Sequence, residues 1–142
     1  MRSKKFVLDA NIWVSYFLTN NLLTLISAVS INKITLFYCN ELLIEIERVL
    51  NYPHLKKRSI NIKRALKFIQ EIGTPAELIY PIKNYIPDDK DDSYVIALAL
   101  QQNAGFVTSG DKHILSQKDI LEHKYKKLKI ITKAEFERMF YE

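Results

Sequence analysis

Asp9 closes a short apolar run, Lys5 to Leu8, and Asp111 lies just past another, Phe106 to Thr108. Asp88, Asp89, Asp91 and Asp92 crowd the segment ahead of the apolar stretch Ser93 to Asn103, and Glu41, Glu45 and Glu47 follow the run Thr35 to Cys39. Of the chain's aspartates only Asp119 lies elsewhere. Taken singly, each acid has a structural reading. Asp9 caps the next helix with Asn11 as a competing cap, Asp91 or Asp92 caps a helix at Ser93, Asp111 closes a turn after Gly110, and the glutamates are solvated helix flank. Taken together they repel one another unless a cation neutralises them, and Mg²⁺ and Mn²⁺ prefer oxygen ligands. An acidic metal cluster in a basic chain, here with 21 basic and 16 acidic residues and a net charge of +5, suits cleavage of a phosphodiester. The cation activates water and stabilises charge on the attacking and leaving oxygens.

The elements that must position these acids follow from patterning. Lys5–Leu8, Thr35–Cys39, Phe106–Thr108 and Leu128–Ile131 read as strands, with Leu78–Tyr80 as a further short one. Helical periodicity covers Ile12 to Ser27 with a break at Asn20-Asn21, Glu41 to Leu50 behind an Asn40 cap, Ser59 to Ile72 up to Gly73, Ser93 to Asn103, and Lys133 to Phe140. Strands alternating with helices predict a doubly wound, mostly parallel sheet of about five strands flanked by helices, one α/β domain over residues 1–142. Function in such sheets sits at the carboxyl ends of strands, where the acids fall. On the Glu41–Leu50 helix, Leu42, Leu43, Ile46, Val49 and Leu50 share an arc of about 120°, with Glu45 and Glu47 on its two borders. Either can face a cleft. His54, His113 and His123 are too dispersed for a zinc pair; His113, two residues past Asp111, is within reach of a substrate, although a surface role is the favoured reading. Cys39, Trp13 and Tyr16 read as core.

Several classes are excluded. A chain of 142 residues, 48% of them apolar and 26% charged, is neither disordered nor membrane-embedded. Three dispersed glycines leave no P-loop or dinucleotide fingerprint. One cysteine permits no intramolecular disulfide and no cysteine-based zinc site. The basic start MRSKK precedes an apolar stretch interrupted by Asp9 and Asn11, so no export signal is read and a cytoplasmic location is expected.

VLDANIWVS (Val7 to Ser15), ELLIEIERVL (Glu41 to Leu50), DKDDSYVIALAL (Asp89 to Leu100) and VTSGDKHIL (Val107 to Leu115) resemble, in order and spacing, the successive motifs of PIN domains. They are most similar to the VapC-like toxin branch of toxin–antitoxin systems. KIITKAEFERMF resembles that branch's last strand and helix. The resemblance implies a Mg²⁺- or Mn²⁺-dependent endoribonuclease that hydrolyses single-stranded RNA by metal-activated water. Asp9, Glu45, Asp92 and Asp111 would be its catalytic acids, with Asp9, Asp92 and Asp111 on the metal. It selects Glu45 over Glu47, places Asn11 and Ser109 in support, and leaves Asp88, Asp89 and Asp91 secondary. The branch often has Asp-Pro before its third acid, whereas Lys90 follows Asp89 here. A homodimer and a small antitoxin partner are implied as well, with no membrane. Lys56, Lys57, Arg58, Lys63, Arg64 and Lys67, and the run from Lys124 to Lys129, are candidates to admit RNA. A receiver-type signalling domain is the rival reading, although Asp9 lacks the adjacent second acid that class needs. A housekeeping nuclease without an antitoxin and an inactive binding scaffold are the others.

Overall fold

Phe6, Val7 and Leu8 form an apolar run with no polar alternation, as expected of a strand buried on both faces. In the computed structural model, which describes residues 4–140, all three are fully buried, and their strand β1 (Lys5–Leu8) lies at the centre of the sheet. The other strands are β2 (Thr35–Tyr38), β3 (Thr74–Pro75), β4 (Phe106–Thr108) and β5 (Lys129–Ile131). Their order is β3-β2-β1-β4-β5 and every pairing is parallel. Val7 aligns with Phe37 on one side and Val107 on the other. The chain builds outward from β1 to β3, then crosses back to place β4 on the other side of β1. This topological switch between β1 and β4 opens a crevice at their carboxyl ends. A receiver-type sheet has the order 2-1-3-4-5, so that rival fails on topology.

Helices α1 (Ala10–Leu18) and α2 (Leu22–Ser30) connect β1 to β2, bent by 119° at the expected Asn20-Asn21 break, where Asn20 has φ 53°. Helices α3 (Asn40–Leu50), α4 (Pro53–Lys56) and α5 (Ile62–Ile72) lead to β3. A 3₁₀ turn (Lys90–Asp92) and α6 (Ser93–Gln101) lead to β4, α7 (Lys112–Ser116) and α8 (Lys118–Lys124) to β5, and α9 (Lys133–Arg138) follows. Every residue of α6 from Ser93 to Ala99 is buried, which is why SYVIALA carries no helical stripe. Among the described residues no single helix is long and apolar enough to cross a membrane.

Three expectations are corrected. Asn40 does not cap α3. Cys39 is still extended and its carbonyl accepts from Leu42 and Leu43, so the helix begins at Asn40. The helix expected from Ser59 starts at Ile62, because Ser59 has φ 55° and Asn61 Oδ1 accepts from the Arg64 N–H as cap. Leu78–Tyr80 is not a strand. β3 comes directly out of Gly73, where a Cβ would lie 2.7 Å from Tyr38 Cδ1 and 2.8 Å from Ile69 O, so only glycine allows the turn. The backbone of Ile79 pairs instead with the side-chain amide of Gln101, its N–H donating to Oε1 and its carbonyl accepting from Nε2 (each 2.9 Å).

Candidate functional site

Asp9 extends β1 by one residue, its N–H donating to Thr108 O (2.9 Å), before the chain turns into α1. Its side chain is 2% exposed. Oδ1 accepts from the Ala10 N–H (2.8 Å) and Oδ2 from the Ser109 hydroxyl (2.8 Å). Ser109 is fully buried, its N–H held by Ile131 O across to β5, and its Oγ also accepts from the Asp111 N–H (3.0 Å). One hydroxyl thus links the ends of β1 and β4. Asp111 Oδ1 in turn accepts from the His113 N–H (2.7 Å) at the start of α7. Asp9 and Asp111 therefore do cap helices, and the same geometry holds them at the crevice.

Asp92 departs from the capping pattern. It precedes α6 yet makes no side-chain cap bond. It is 7% exposed, and its Oδ2 is buried without a hydrogen-bond partner. Asp89 serves the local turn instead, Oδ1 accepting from the Asp91 N–H (3.2 Å). Asp89, Asp92, Asp111 and His113 each offer a donor atom within 4.8 Å of the others. His113 Nδ1 lies 3.6 Å from Asp89 Oδ2 and 3.7 Å from Asp111 Oδ1. The surface reading of His113 is therefore corrected: the turn capped by Asp111 swings it into the acids. Asp88 and Asp91 are exposed and outside this group.

The electrostatics tie the acids together. Burial, then the charge of Asp9, a hydrogen bond with Asp89 and the charges of Asp111 and Asp89 push Asp92 up to about 8. Burial pushes Asp9 up to about 6 against the lowering bond from Ser109, with Glu45 and Asp111 adding repulsion. Glu45 is half-buried and within the field of Asp9, whereas Glu47 is exposed, which separates the two borders of the α3 stripe. The Tyr94 hydroxyl donates to Glu45 Oε2, and burial followed by the Glu45 charge raises that phenol. Tyr94 is a site residue that sequence reasoning missed, and His113, weighed there only as a residue within reach of a substrate, stands among the acids. Tyr94 reads as one more apolar position of α6, although it stands two residues after Asp92. Asn11 is exposed, between Ala10 and Ile12, which with Trp13 are buried in the core, and no hydrogen bond joins it to an acid.

The donor set fits a hard divalent cation. It offers two carboxyls, Asp9 and Asp92, pushed up first by burial and then by neighbouring acids, and a buried carboxylate oxygen, Asp92 Oδ2, without a hydrogen-bond partner. Fold and site together define an α/β protein with an acidic metal-type centre at the switch point of a 3-2-1-4-5 parallel sheet. The chain belongs to the PIN-domain family: a sequence profile of that family, described as PIN domain, matches residues 5–113, the span that holds all of these acids. PIN domains are nucleases that depend on divalent metal, and the acidic cluster for that chemistry is present. No curated protein matches the chain.

Proposed function

We propose that the protein is an endoribonuclease acting on single-stranded RNA, with Asp9, Glu45, Asp92 and Asp111 as its catalytic acids and Mg²⁺ or Mn²⁺ as cofactor. The observation that carries this reading is the buried, unpartnered Oδ2 of Asp92 beside the acids Asp89 and Asp111. Asp9, Asp92 and Asp111 would hold the cation, with Asp89 and His113 beside them. When bound, the cation neutralises the acids, acidifies water and polarises a phosphate. The chain's own residues do the rest. Ser109 fixes the direction of Asp9 Oδ2, and Tyr94 fixes that of Glu45. Glu45 orients the attacking water and takes its proton. The net charge of +5 and the exposed Lys56, Lys57, Lys63 and Lys67 favour approach of a polyanion.

Within this reading the chain is a cytoplasmic toxin, paired with a second copy and silenced by a small antitoxin. Leu23, Ile31 and Ile44 are 61–76% exposed and supply apolar contact surface for such partners. The direct test incubates the protein with single-stranded RNA. Cleavage with Mn²⁺ or Mg²⁺ that stops in EDTA is expected, and RNA left intact in both metals removes the reading. Growth arrest on expression, relieved by the product of a neighbouring small gene, tests the toxin assignment. A strict monomer in light scattering at high concentration removes the dimer.

A further inference from the structure

Between α1 and the end of α3 lies a groove of about 540 Å³, within the size range of small-ligand sites. One wall is α1. Asn11, Val14, Ser15 and Leu18 line it, and their spacing of three, one and three residues puts them on one helix face. That face starts at the crevice, because Asn11 is two residues after Asp9 and its Cα lies within about 7.6 Å of that of Asp9. The opposite wall comes from α3. Val49 lines it from α3, one helical turn beyond Glu45, and Tyr52 from the residue ahead of α4. Each wall thus belongs to a helix that also carries a site acid, Asp9 capping α1 and Glu45 on α3, although no acid lines the groove itself.

The lining changes character with distance. Val14, Leu18, Val49 and Leu55 are apolar, and the ring of Tyr52, 39% exposed, stands at the edge beside His54, their centroids 6.0 Å apart. At the far end Arg58 donates to Leu18 O (3.0 Å), which anchors the guanidinium while leaving it further N–H donors. No lining residue is acidic, and Lys56 and Lys57 adjoin. An apolar slot with an aromatic edge accepts a base, and a planar cation accepts a phosphate.

Resting on the nuclease reading above, we infer that this groove is a nucleotide subsite: Tyr52 stacks on a base of single-stranded RNA beside the scissile phosphate, and Arg58 binds the next phosphate. The occupant is RNA rather than an acidic or apolar peptide, because the groove runs along the helix that Asp9 caps and the one that carries Glu45, and no lining residue is acidic. Arg58 gives it a fixed cation, Lys56 and Lys57 adjoin, and the aromatic edge is a stacking surface.

The test measures binding of a short fluorescent single-stranded RNA by anisotropy in EDTA, and separately its cleavage with Mn²⁺. Tyr52→Ala and Arg58→Ala are each expected to weaken binding about 10-fold and to raise KM with kcat within about twofold. Tyr52→Phe is expected to bind like the parent, and Arg58→Lys, which keeps the charge, to bind better than Arg58→Ala. An RNA with one abasic nucleotide should reproduce the Tyr52→Ala loss, and combining the two should add nothing further. Circular dichroism checks that each variant is folded. Unchanged RNA affinity in folded Tyr52→Ala and Arg58→Ala proteins overturns the subsite even if the parent cleaves RNA, as does a peptide that binds there without displacing RNA. A parent that binds RNA through these residues yet cleaves none in either metal leaves the subsite standing and removes the nuclease reading instead.

Discussion

Asp92, ahead of α6, and Glu122, on α8 against the edge strand β5, are two carboxylates wholly or partly withdrawn from solvent, and the molecule treats them oppositely. Glu122, on α8, is pinned. Its Oε2 accepts from the Lys118 ammonium and from the Ile130 N–H (2.9 Å), and Lys118 also donates to Ile130 O (2.9 Å), so one ion pair fastens α8 to β5. Partial burial pushes the Glu122 carboxyl up, but Lys118, the Ile130 amide and Lys129 outweigh it and hold the carboxyl below its ordinary value. Asp92 is more buried, faces acids rather than cations, and is pushed up to about 8 with one oxygen unpartnered. A carboxylate that serves the fold is surrounded by its donors. One left without them in a closed place costs stability, and a bound cation recovers that cost.

The largest expected contrast is in turnover. Asp9→Asn and Asp92→Asn should each lower kcat/KM for single-stranded RNA by at least about 10²-fold, since each removes a charge that positions the metal. Glu122→Gln should cleave like the parent. Undiminished cleavage by an Asp9→Asn/Asp92→Asn protein would dissolve the distinction between the two regions.

Next comes metal linkage. Mn²⁺ or Mg²⁺ at about 100 times its Kd should stabilise the parent by about 2.7 kcal/mol, read as a rise in Tm. Asp92→Asn should lose most of that rise and Glu122→Gln should keep it. A full metal shift in Asp92→Asn would make Asp92 a structural residue.

A smaller effect separates the borders of α3. Glu45→Gln should slow cleavage about 10-fold or more, and Glu47→Gln should be neutral in the same assay. Tyr94→Phe, which removes only the hydroxyl that holds Glu45, should fall between them. A neutral Glu45→Gln with an impaired Glu47→Gln would mean that α3 presents its other border.

The smallest effects are on metal-free stability, and their pH dependence has opposite signs. The folded protein holds the Asp92 proton from the ordinary value of 3.8 up to about 8, while the unfolded chain has released it. Stability therefore falls as pH rises across that window and stays reduced above it. Asp9 contributes the same sign over a narrower window, ending at about 6. Glu122, held below its ordinary value, contributes stability that is present above that value and lost as pH falls through its folded pKa. In EDTA, Asp92→Asn should flatten the decline between pH 4 and pH 8 and melt at or above the parent at neutral pH. Glu122→Gln should destabilise by about 1–2 kcal/mol at neutral pH. Thermal melts from pH 4 to pH 9 read both, and an Asp92→Asn protein melting well below the parent would reverse the comparison.

Much of this was legible in the chain because its signals are local. KFVL and FVT announce buried strands by having no alternation, and Asp9, Ser109 and Asp111 follow them within three residues. Placing those residues at one edge needed only the rule that parallel strands run the same way. Leu78–Tyr80 was misread because a β-rich tripeptide carries no record of its partner, and here the partner is the side chain of Gln101. His113 was misread because a histidine's exposure depends on the turn that Asp111 imposes.

The sequence by itself determined the α/β class, the core strands and the set of acids, since hydrophobic period and residue chemistry are properties of short segments. Which border of α3 faces Asp9, that Tyr94 reaches Glu45 across 49 residues, and that Asp92 Oδ2 is buried without a donor while Glu122 Oε2 has two, are consequences of how distant segments pack. Those outcomes depend on how helices seat on the sheet. Burial and neighbouring charge, which set the behaviour of a carboxyl, arise from groups far apart in the chain that meet only when it folds.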